Sequence, residues 1–401
     1  MTAEDVQPLV NAYHRKLSEV SLRFKRYLYS QIDWSGRIVG IKGERGVGKT
    51  TLILQHIKET FKNPDDAMYV SLDNLWFVTH SLVDLVEFLY VRGTEYLFID
   101  EVHKYPAWIQ TLKNLYDDYP GLKIVYTGSS MLEIDNSRYD LSRRQSLYTL
   151  HCLSLREYLE FEGVLAHRAL SLEEILSDHV SLAMGIIPAI KIQNHFEAYL
   201  DHGAYPFYKE APNTFHQRLQ EIVRTVLESD LPAVENMTFE TIQKTRRLLM
   251  IIAEGLPFQS NVHQLCAALD CTRESCLKML YALDKAGIMH LLTADLKNYK
   301  KLVNPDKIYL GNGNLCCALG GKTEIGTVRE TFFASQVGAE HILQYPKKGD
   351  FFACGKYLFE VGGKRKTFEQ IKDEPNSFLA VDETEVGYGN RIPLWLFGFM
   401  Y

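Results

Sequence analysis

The chain has 401 residues, which is enough for two or three domains of ordinary size. Hydrophobic residues make up 46% and charged residues 23%, a balance that is typical of globular proteins with a large core. The net charge of −6 gives no overall drive toward nucleic acid or an anionic membrane, although a local basic face is compatible with it.

The chain shows no export or membrane signal. Its first 30 residues carry charges throughout and lack an apolar core, so we expect no secretory signal. No run of about 18 uncharged apolar residues occurs, so we expect no membrane-spanning helix and no membrane partner. The seven cysteines form no CxxC pair and lack zinc-ligand spacing; they stand at positions 152, 266, 271, 276, 316, 317 and 354. We interpret them as reduced, mostly buried thiols and predict a cytoplasmic protein.

Residues 43–50, Gly-Glu-Arg-Gly-Val-Gly-Lys-Thr, match the phosphate-loop pattern GxxxxGK[ST] in full. The apolar run before them predicts a buried strand, and the apolar spacing after them predicts a helix. Glycines let backbone N–H groups converge on phosphates, and the helix N-terminus attracts anions. Lys49 would reach the β- and γ-phosphates, and the Thr50 hydroxyl would bind Mg²⁺. The predicted ATP-binding residues of this stretch are Gly43, Glu44, Arg45, Gly46, Val47, Gly48, Lys49, Thr50 and Thr51.

Two acids, Asp100 and Glu101, follow a continuous apolar run at 96–99 that predicts a buried parallel strand. Because ligands bind at the carboxyl edge of such sheets, Asp100 would hold the Mg²⁺ shell. Glu101 would orient or deprotonate the attacking water, which favours hydrolysis over switching. A third strand within GLKIVYTGSS, residues 121–130, ends in the candidate γ-phosphate sensors Thr127 and Ser129.

A further buried strand is predicted within DDAMYVSLDN, residues 65–74. The elements then follow the order strand, helix, strand, helix, acid-bearing strand, helix, sensor strand. This order predicts an α/β fold with a parallel P-loop NTPase sheet and flanking helices.

Four blocks of the sequence, in chain order, resemble one family of prokaryotic AAA-type ATPases: GERGVGKTTLI, LFIDEVHKYPAWIQTLKNLYD, KIVYTGSSMLEI and RRQSLYTLHCLSLREYLEF. Members of this family pair the ATPase with a C-terminal domain of unknown function that looks like a degenerate restriction-endonuclease fold. YLDHGAYPFYKE (199–210) resembles a further family block, in which Ala204 replaces a glycine. The resemblance covers nearly the whole chain and weakens after residue 300.

An arginine near residue 144 is implied as a catalytic group by this resemblance. The family usually shows Gly-Arg before an L-x-P-L-S segment; here Arg143 stands in the glycine place, Arg144 matches the arginine, and Cys152 replaces the proline. Such an arginine would reach a γ-phosphate in its own or a neighbouring subunit and stabilise the transition state. A basic pair on a solvated loop is the alternative, and Arg138 is a weaker candidate. Action across a subunit boundary would require a homo-oligomer.

We predict four domains: an AAA-type P-loop ATPase domain at 1–165, a helical lid or connector at 166–235, a winged helix-turn-helix at 236–300, and a small α+β nuclease-like domain at 301–401. The second helix of the winged helix would expose a face with little net charge, formed by Thr272, Arg273, Glu274, Ser275 and Lys278. DNA binding and protein contact remain alternatives for this face. The residues that most favour DNA are Lys297, Lys300, Lys301 and Lys307.

In the last domain, a nuclease site would need acids and a lysine converging on one face. Glu330, Asp350 and Glu360 match the acids, but Gly362 stands where the lysine is expected. Lys364 lies roughly 13 Å beyond Glu360 if the strand continues. We therefore expect an inactive fold used for binding or assembly, with DNA cleavage as the lesser alternative. The closing NRIPLWLFGFMY predicts an apolar terminal strand.

Three hypotheses about function follow. The first is a Mg²⁺-dependent ATPase that couples hydrolysis to motion of its winged-helix and C-terminal domains, on DNA or a protein partner. The second is a nucleotide-gated binding module with little turnover. The third is an ATP-dependent nuclease.

Overall fold

The computed structural model describes the chain except residues 64–65, 129–140, 142, 233–236, 256–257, 260, 295–302 and 321–323. The described residues divide into two compact units, Met1–His151 and Cys152–Tyr401. The four-domain division remains a prediction.

The first unit contains helices α1 (Ala3–Glu19), α2 (Lys49–Thr60), α3 (Leu82–Tyr90) and α4 (Trp108–Asp118). Its strands are β1 (Ile38–Gly43), β2 (Ala67–Ser71), β3 (Tyr96–Asp100), β4 (Lys123–Gly128) and β5 (Ser146–Leu150). All five strands run parallel in one sheet, in the order β2-β3-β4-β1-β5. This arrangement confirms the predicted α/β fold.

Strand order determines which polar strand ends meet. β1 is buried along its whole length and pairs with β4 on one side and β5 on the other. β4 therefore lies between β1, which leads into the phosphate loop, and β3, which ends at Asp100. Since carboxyl ends of parallel strands share one edge, Thr127 near the end of β4 lies between the loop and the acids.

The second unit contains helices α5 (Leu155–Phe161), α6 (Leu172–Ile186), α7 (Ile192–Ala198), α8 (Phe215–Thr225), α9 (Phe239–Glu254), α10 (Val262–Leu269), α11 (Arg273–Lys285), α12 (Gly313–Leu319) and α13 (Ile325–Glu340). Single π-helical turns occur at Tyr199–Gly203 and Val226–Asp230. The strands are β6 (Phe258–Gln259), β7 (Met289–Leu292), β8 (Lys307–Leu310), β9 (Leu343–Gln344), β10 (Phe351–Ala353), β11 (Tyr357–Gly362), β12 (Ser377–Val381) and β13 (Arg391–Pro393).

A small antiparallel sheet, in the order β6-β8-β7, accompanies helices α9, α10 and α11. The Asn261 side chain caps α10 by accepting the Gln264 N–H. Gly287, with φ of 75°, follows α11 and lets the chain turn into β7.

The C-terminal sheet is mixed, in the order β13-β12-β11-β10-β9, with β11 to β13 parallel and β9 to β11 antiparallel. The predicted terminal strand is wrong beyond its start, because β13 ends at Pro393 and a 3₁₀ helix, Leu394–Phe399, follows. Proline has no N–H to donate to a sheet ladder, which favours a strand end at this point. The residues of the 3₁₀ helix are nevertheless buried, as its apolar composition requires.

The family-like segment L-S-x-x-E at 153–157 has a structural explanation. The Ser154 side chain accepts the Glu157 N–H, and the Glu157 carboxylate accepts the Ser154 N–H, which forms a capping box at the start of α5. The Ser154 hydroxyl also donates to the carbonyl of Tyr401, 2.6 Å away. The segment therefore anchors a helix start.

Among the described residues, no single helix has both the length and the apolar character needed to cross a membrane. One pair, Leu172–Ala189 with Ile192–Gly203, meets both criteria only when combined, and it is bent by 89°.

Candidate active site

Residues 43–50 form the turn between β1 and α2. Gly46 and Gly48 have φ values of 88° and 96°, which a residue with a side chain rarely adopts. Gly43 is needed for a different reason, because a Cβ there would lie 2.3 Å from the carbonyl oxygen of Leu150 on β5. The glycines thus permit both the left-handed turn of the loop and the close approach of a neighbouring strand.

Lys49, the first residue of α2, is buried, and its ammonium group turns back into the loop. Its Nζ donates to the carbonyl oxygens of Gly43, at 2.9 Å, and Glu44, at 2.7 Å. Burial lowers the pKa of Lys49, while the carboxylates of Glu101 and Asp100 act in the opposite direction. The loop carbonyls therefore bind the Lys49 ammonium group, and the phosphates of a nucleotide would replace these carbonyls as its partners.

Asp100, at the end of β3, collects three hydroxyl donors. Its Oδ2 accepts from Thr50, at 2.7 Å, and from Tyr69, at 2.9 Å, and its Oδ1 accepts from Thr127. Burial and the neighbouring Asp100 carboxylate raise the pKa of Tyr69, which keeps its hydroxyl a neutral donor. A carboxylate beside a threonine hydroxyl is an oxygen donor set that suits Mg²⁺. The residues present therefore fit a magnesium ion.

Glu101 follows in a left-handed backbone conformation, with φ of 55°, which is uncommon for a residue other than glycine. Its N–H donates to the Thr127 hydroxyl at 3.3 Å, and its Oε2 lies 3.4 Å from Nε2 of His103. The conformation turns the chain sharply after β3. Glu101 thus stands at the same sheet edge as Lys49, and its carboxylate opposes the lowering of the Lys49 pKa by burial.

The remaining predicted loop residues differ in exposure. Val47 is fully buried, Glu44 and Arg45 are half-buried, and Gly46 and Thr51 are exposed. The predicted sensor Ser129 and the weaker arginine candidate Arg138 lie outside the described residues.

Arg144 lies away from this edge of the sheet. It precedes β5, whose first residue, Ser146, pairs with Val39, four residues before Gly43 on β1. About 13 Å of strand therefore separates it from the loop. Its guanidinium contacts Asp117 on α4, with an N···O distance of 3.3 Å. A role in the site of its own chain does not agree with this position, whereas a role in a neighbouring subunit remains a prediction; Arg143 is exposed beside it.

Sequence reasoning missed two groups that support the site. Arg26 is buried and donates to the carbonyl of Val47 in the loop and, at 2.7 Å, to the carbonyl of His151. Lys16 on α1 donates to the Tyr69 hydroxyl at 3.1 Å and so extends the network around Asp100. Neither residue belongs to a motif, and their roles depend on how the first 30 residues pack against the sheet.

The acids predicted for a nuclease site lie close to lysines in the second unit. Lys307 on β8 contacts Glu330 on α13 at 2.7 Å and Asp350 at 3.6 Å. Lys366 contacts Glu360 on β11 at 2.7 Å. The lysine beside Glu360 is thus Lys366 rather than Lys364. Two lysines thus contact three acids, and the cluster is a largely buried ion-pair network with one more acid than lysine.

Lys307 is therefore buried and not available for nucleic acid. The other lysines predicted to favour DNA, Lys297, Lys300 and Lys301, lie outside the described residues. On α11, the second of the two helices α10 and α11, Lys278 contacts Glu274 at 2.9 Å and Arg273 donates to the Asn304 side chain at 3.1 Å. These contacts reduce the positive charge that α11 would present to a phosphate backbone.

A parallel five-stranded sheet whose first strand leads through GxxxxGK[ST] into a helix defines a P-loop NTPase domain. Residues 35–159 match the family model described as an AAA domain, so the chain carries an AAA-type P-loop ATPase domain. Residues 193–325 match a domain of unknown function (DUF8612).

Relatives of the chain include uncharacterized protein MJ1637 of Methanocaldococcus jannaschii, which is 24% identical over 368 residues that cover 83% of this chain and 77% of that protein. Similar solved structures include AMPPCP-bound DnaA from Aquifex aeolicus, at 14% identity and a TM-score of 0.25, covering 71% of this chain and 89% of that one. Another is Hsp104 with ATPγS and casein, at 17% identity and a TM-score of 0.27, covering 55% and 48%. The assignment of the ATPase domain rests on the loop, the strand order and the family model.

Proposed function

We propose that this protein binds ATP with Mg²⁺ and hydrolyses it, and that hydrolysis changes the conformation of the C-terminal unit. One observation carries the proposal: the Thr50 hydroxyl donates to Asp100 at 2.7 Å, with Lys49 and Glu101 next to them in the sequence. One edge of the sheet then carries a lysine that can bind phosphate, two oxygen ligands for Mg²⁺ and a candidate general base.

In the proposed reaction, Lys49 exchanges its loop carbonyls for the β- and γ-phosphates of ATP. The N–H groups of the loop and the N-terminus of α2 bind the remaining phosphate charge. Thr50 and Asp100 would hold Mg²⁺, which would supply positive charge to neutralise the charge that develops on the phosphate oxygens. Glu101 orients a water molecule and accepts its proton. Thr127, which donates to Asp100 and accepts the Glu101 N–H, positions both acids.

The helices and strands at 239–310 support a winged helix as the element that responds to the nucleotide. Their order is helix, strand, two helices and two strands, with the strands paired antiparallel as β6-β8-β7. We propose protein or DNA contact for this element. A binding isotherm for duplex DNA that weakens steeply with salt, and on substitution of Lys300 and Lys301, would support DNA; salt-insensitive or undetectable binding would favour a protein partner.

The test of the main proposal is steady-state ATP hydrolysis measured together with ATP binding. Lys49→Ala should lose both binding and turnover. Glu101→Gln should keep ATP affinity and lower turnover by about 100-fold or more, the typical contribution of a general base. Glu95→Gln, an exposed change just before β3, is the matched control and should behave as the wild type. Unchanged turnover in Glu101→Gln would contradict the assignment of the base.

Two alternatives have their own outcomes in the same preparation. ATP-dependent structural change without steady turnover would indicate a nucleotide-gated binding module. Plasmid nicking with Mn²⁺ that is lost in Glu360→Ala would indicate a nuclease. The contacts of Glu330, Asp350 and Glu360 with Lys307 and Lys366 bring acids and lysines together as a nuclease site requires, so the plasmid assay decides this alternative.

A further inference from the structure

Three cysteines of α10, α11 and the turn between them converge, although their spacing in the sequence matches no recognised metal motif. The Sγ atoms of Cys266, Cys271 and Cys276 all lie within 4.8 Å of one another. Cys266 is in the last turn of α10, Cys271 is in the connecting turn, and Cys276 is in the first turns of α11. Within the described part of the chain, no other set of His, Cys, Asp and Glu side chains meets the same distance criterion.

The turn between the helices brings these side chains together. Asp270 adopts a left-handed conformation, with φ of 47°, which ends α10. The Cys271 N–H then donates to the carbonyl of Cys266 at 3.1 Å, so the turn closes on itself. Thr272 caps α11, and the Cys276 N–H donates to its carbonyl at 3.0 Å. The end of α10 and the start of α11 therefore suffice to gather three thiols that are spaced five residues apart in the sequence.

The cluster combines one buried thiol with two that reach solvent: Cys276 is buried, and Cys266 and Cys271 are half-exposed. Lys244 on α9 donates to the Asp270 carbonyl at 2.7 Å and so supports the turn that carries Cys271. A metal ion can therefore reach the sulfur atoms from the solvent side.

We propose that Cys266, Cys271 and Cys276 are three thiolate ligands of a Zn²⁺ ion. Tetrahedral Zn–S bonds of about 2.3 Å place sulfur atoms about 3.8 Å apart. Small side-chain rotations that shorten the Sγ···Sγ distances by about 1 Å or less would therefore complete the site. Sulfur ligands select Zn²⁺ over Mg²⁺, which prefers oxygen. Binding forms three Zn–S bonds and releases the three thiol protons to solvent.

The fourth position of the metal faces an open groove of about 440 Å³. The groove is lined by His263, Cys266, Ala267, Asp270, Cys271 and Thr272. The nitrogens of His263 are not among the clustered ligand atoms, so we assign the fourth position to water. Since the ligands come from both helices and their turn, the ion would fix the angle between α10 and α11.

The test uses the full-length protein, reduced and freed of metal, titrated with Co²⁺ and then with Zn²⁺. One equivalent of Co²⁺ should produce tetrahedral d–d bands and sulfur-to-cobalt charge-transfer absorption, and Zn²⁺ should abolish both signals. Cobalt at the ATP site would have oxygen ligands and no sulfur band, so the two sites are distinguishable. Zn²⁺ should also raise the melting temperature of the wild type.

Cys266→Ser and Cys271→Ser are the informative variants, because both side chains are half-exposed and their loss leaves the buried Cys276 in place. Each should weaken Co²⁺ binding at least tenfold, and the double variant should lose the sulfur band and the Zn²⁺-dependent rise in melting temperature. Cys317→Ser and Cys354→Ser, at exposed positions elsewhere, are the matched controls. Absence of stoichiometric binding to the wild type, or a sulfur band retained in the folded double variant, would overturn the proposal.

Discussion

Thr50 and Asp100 lie 50 residues apart in the chain, yet the Thr50 hydroxyl donates to Asp100 Oδ2 across 2.7 Å. The bond joins the phosphate loop after β1 to the acid at the end of β3, although β4 separates these strands in the sheet. It places two oxygen donors for Mg²⁺ side by side.

Tyr69→Phe should destabilise the protein while keeping the volume of the ring. The change removes one of the hydroxyl donors to the Asp100 carboxylate, and a hydrogen bond to a charged acceptor contributes about 1.5–3 kcal/mol. We expect the free energy of unfolding in urea to fall by about 1.5 kcal/mol. Tyr96→Phe is the matched control, since its hydroxyl accepts from Lys123 at 2.9 Å in a less buried position. An equal loss in the control would show that Asp100 is not the cause.

Mixing two inactive variants should reveal whether Arg144 acts in a neighbouring subunit. Arg144 lies near the amino ends of the strands, whereas Lys49 lies at their carboxyl ends. Arg144→Ala should therefore lower turnover only if Arg144 acts at the ATP site of another subunit. Glu101→Gln retains Arg144, and Arg144→Ala retains Glu101. A mixture should therefore recover part of the ATPase activity that neither variant has alone. Full activity of Arg144→Ala by itself would show instead that Arg144 is a surface residue bound to Asp117.

Asp284→Asn should change how stability depends on pH. Burial raises the pKa of Asp284 from 3.8 to about 7, against the opposing hydrogen bond from the Leu291 N–H. The folded state thus binds the proton more tightly than the unfolded chain, and this stabilisation is lost as pH rises from about 4 to 7. The amide does not titrate but still accepts the N–H.

We therefore expect the stability of Asp284→Asn relative to the wild type to rise between pH 4 and pH 8. The rise should exceed about 1.4 kcal/mol, the free energy of one pKa unit, in urea unfolding curves. Asp284→Ala also loses the hydrogen bond from the Leu291 N–H, so it should be less stable than Asp284→Asn at every pH. Its stability relative to the wild type should nevertheless show the same rise with pH. Parallel curves for all three proteins would contradict the raised pKa.

Lys307→Met should destabilise the second unit strongly. It leaves the buried carboxylates of Glu330 and Asp350 without their shared cation, and breaking a buried pair costs about 3 kcal/mol or more. Adding Glu330→Gln should restore part of the loss, because it removes one of the two acids. Lys348→Met breaks an exposed pair with Glu374 and should cost at most about 1 kcal/mol in the same measurement. Equal effects of the two lysine changes would mean that the cluster is not electrostatically coupled.

The sequence predicted well wherever the chemistry is local. GxxxxGK[ST] requires glycines at positive φ and a lysine at the start of a helix, and residues 43–50 form that turn. The apolar run at 96–99 predicts a buried strand with Asp100 at its end, as observed. The terminal segment was misread beyond Pro393, because periodicity does not distinguish a buried strand from a buried 3₁₀ helix.

By itself, then, the sequence determined the ATPase domain, since a phosphate loop and an acid-bearing strand are encoded by residues that are neighbours in the chain. Only the tertiary structure decided which distant groups meet. Arg144 is separated from the loop because β5 runs parallel to β1. Lys307 lies beside Glu330, and Lys366 lies beside Glu360, whose strand has Gly362 in the expected lysine position. Cys266 joins Cys271 and Cys276 because two helix ends fold the chain back on itself. Such contacts depend on packing between elements, which no local pattern specifies.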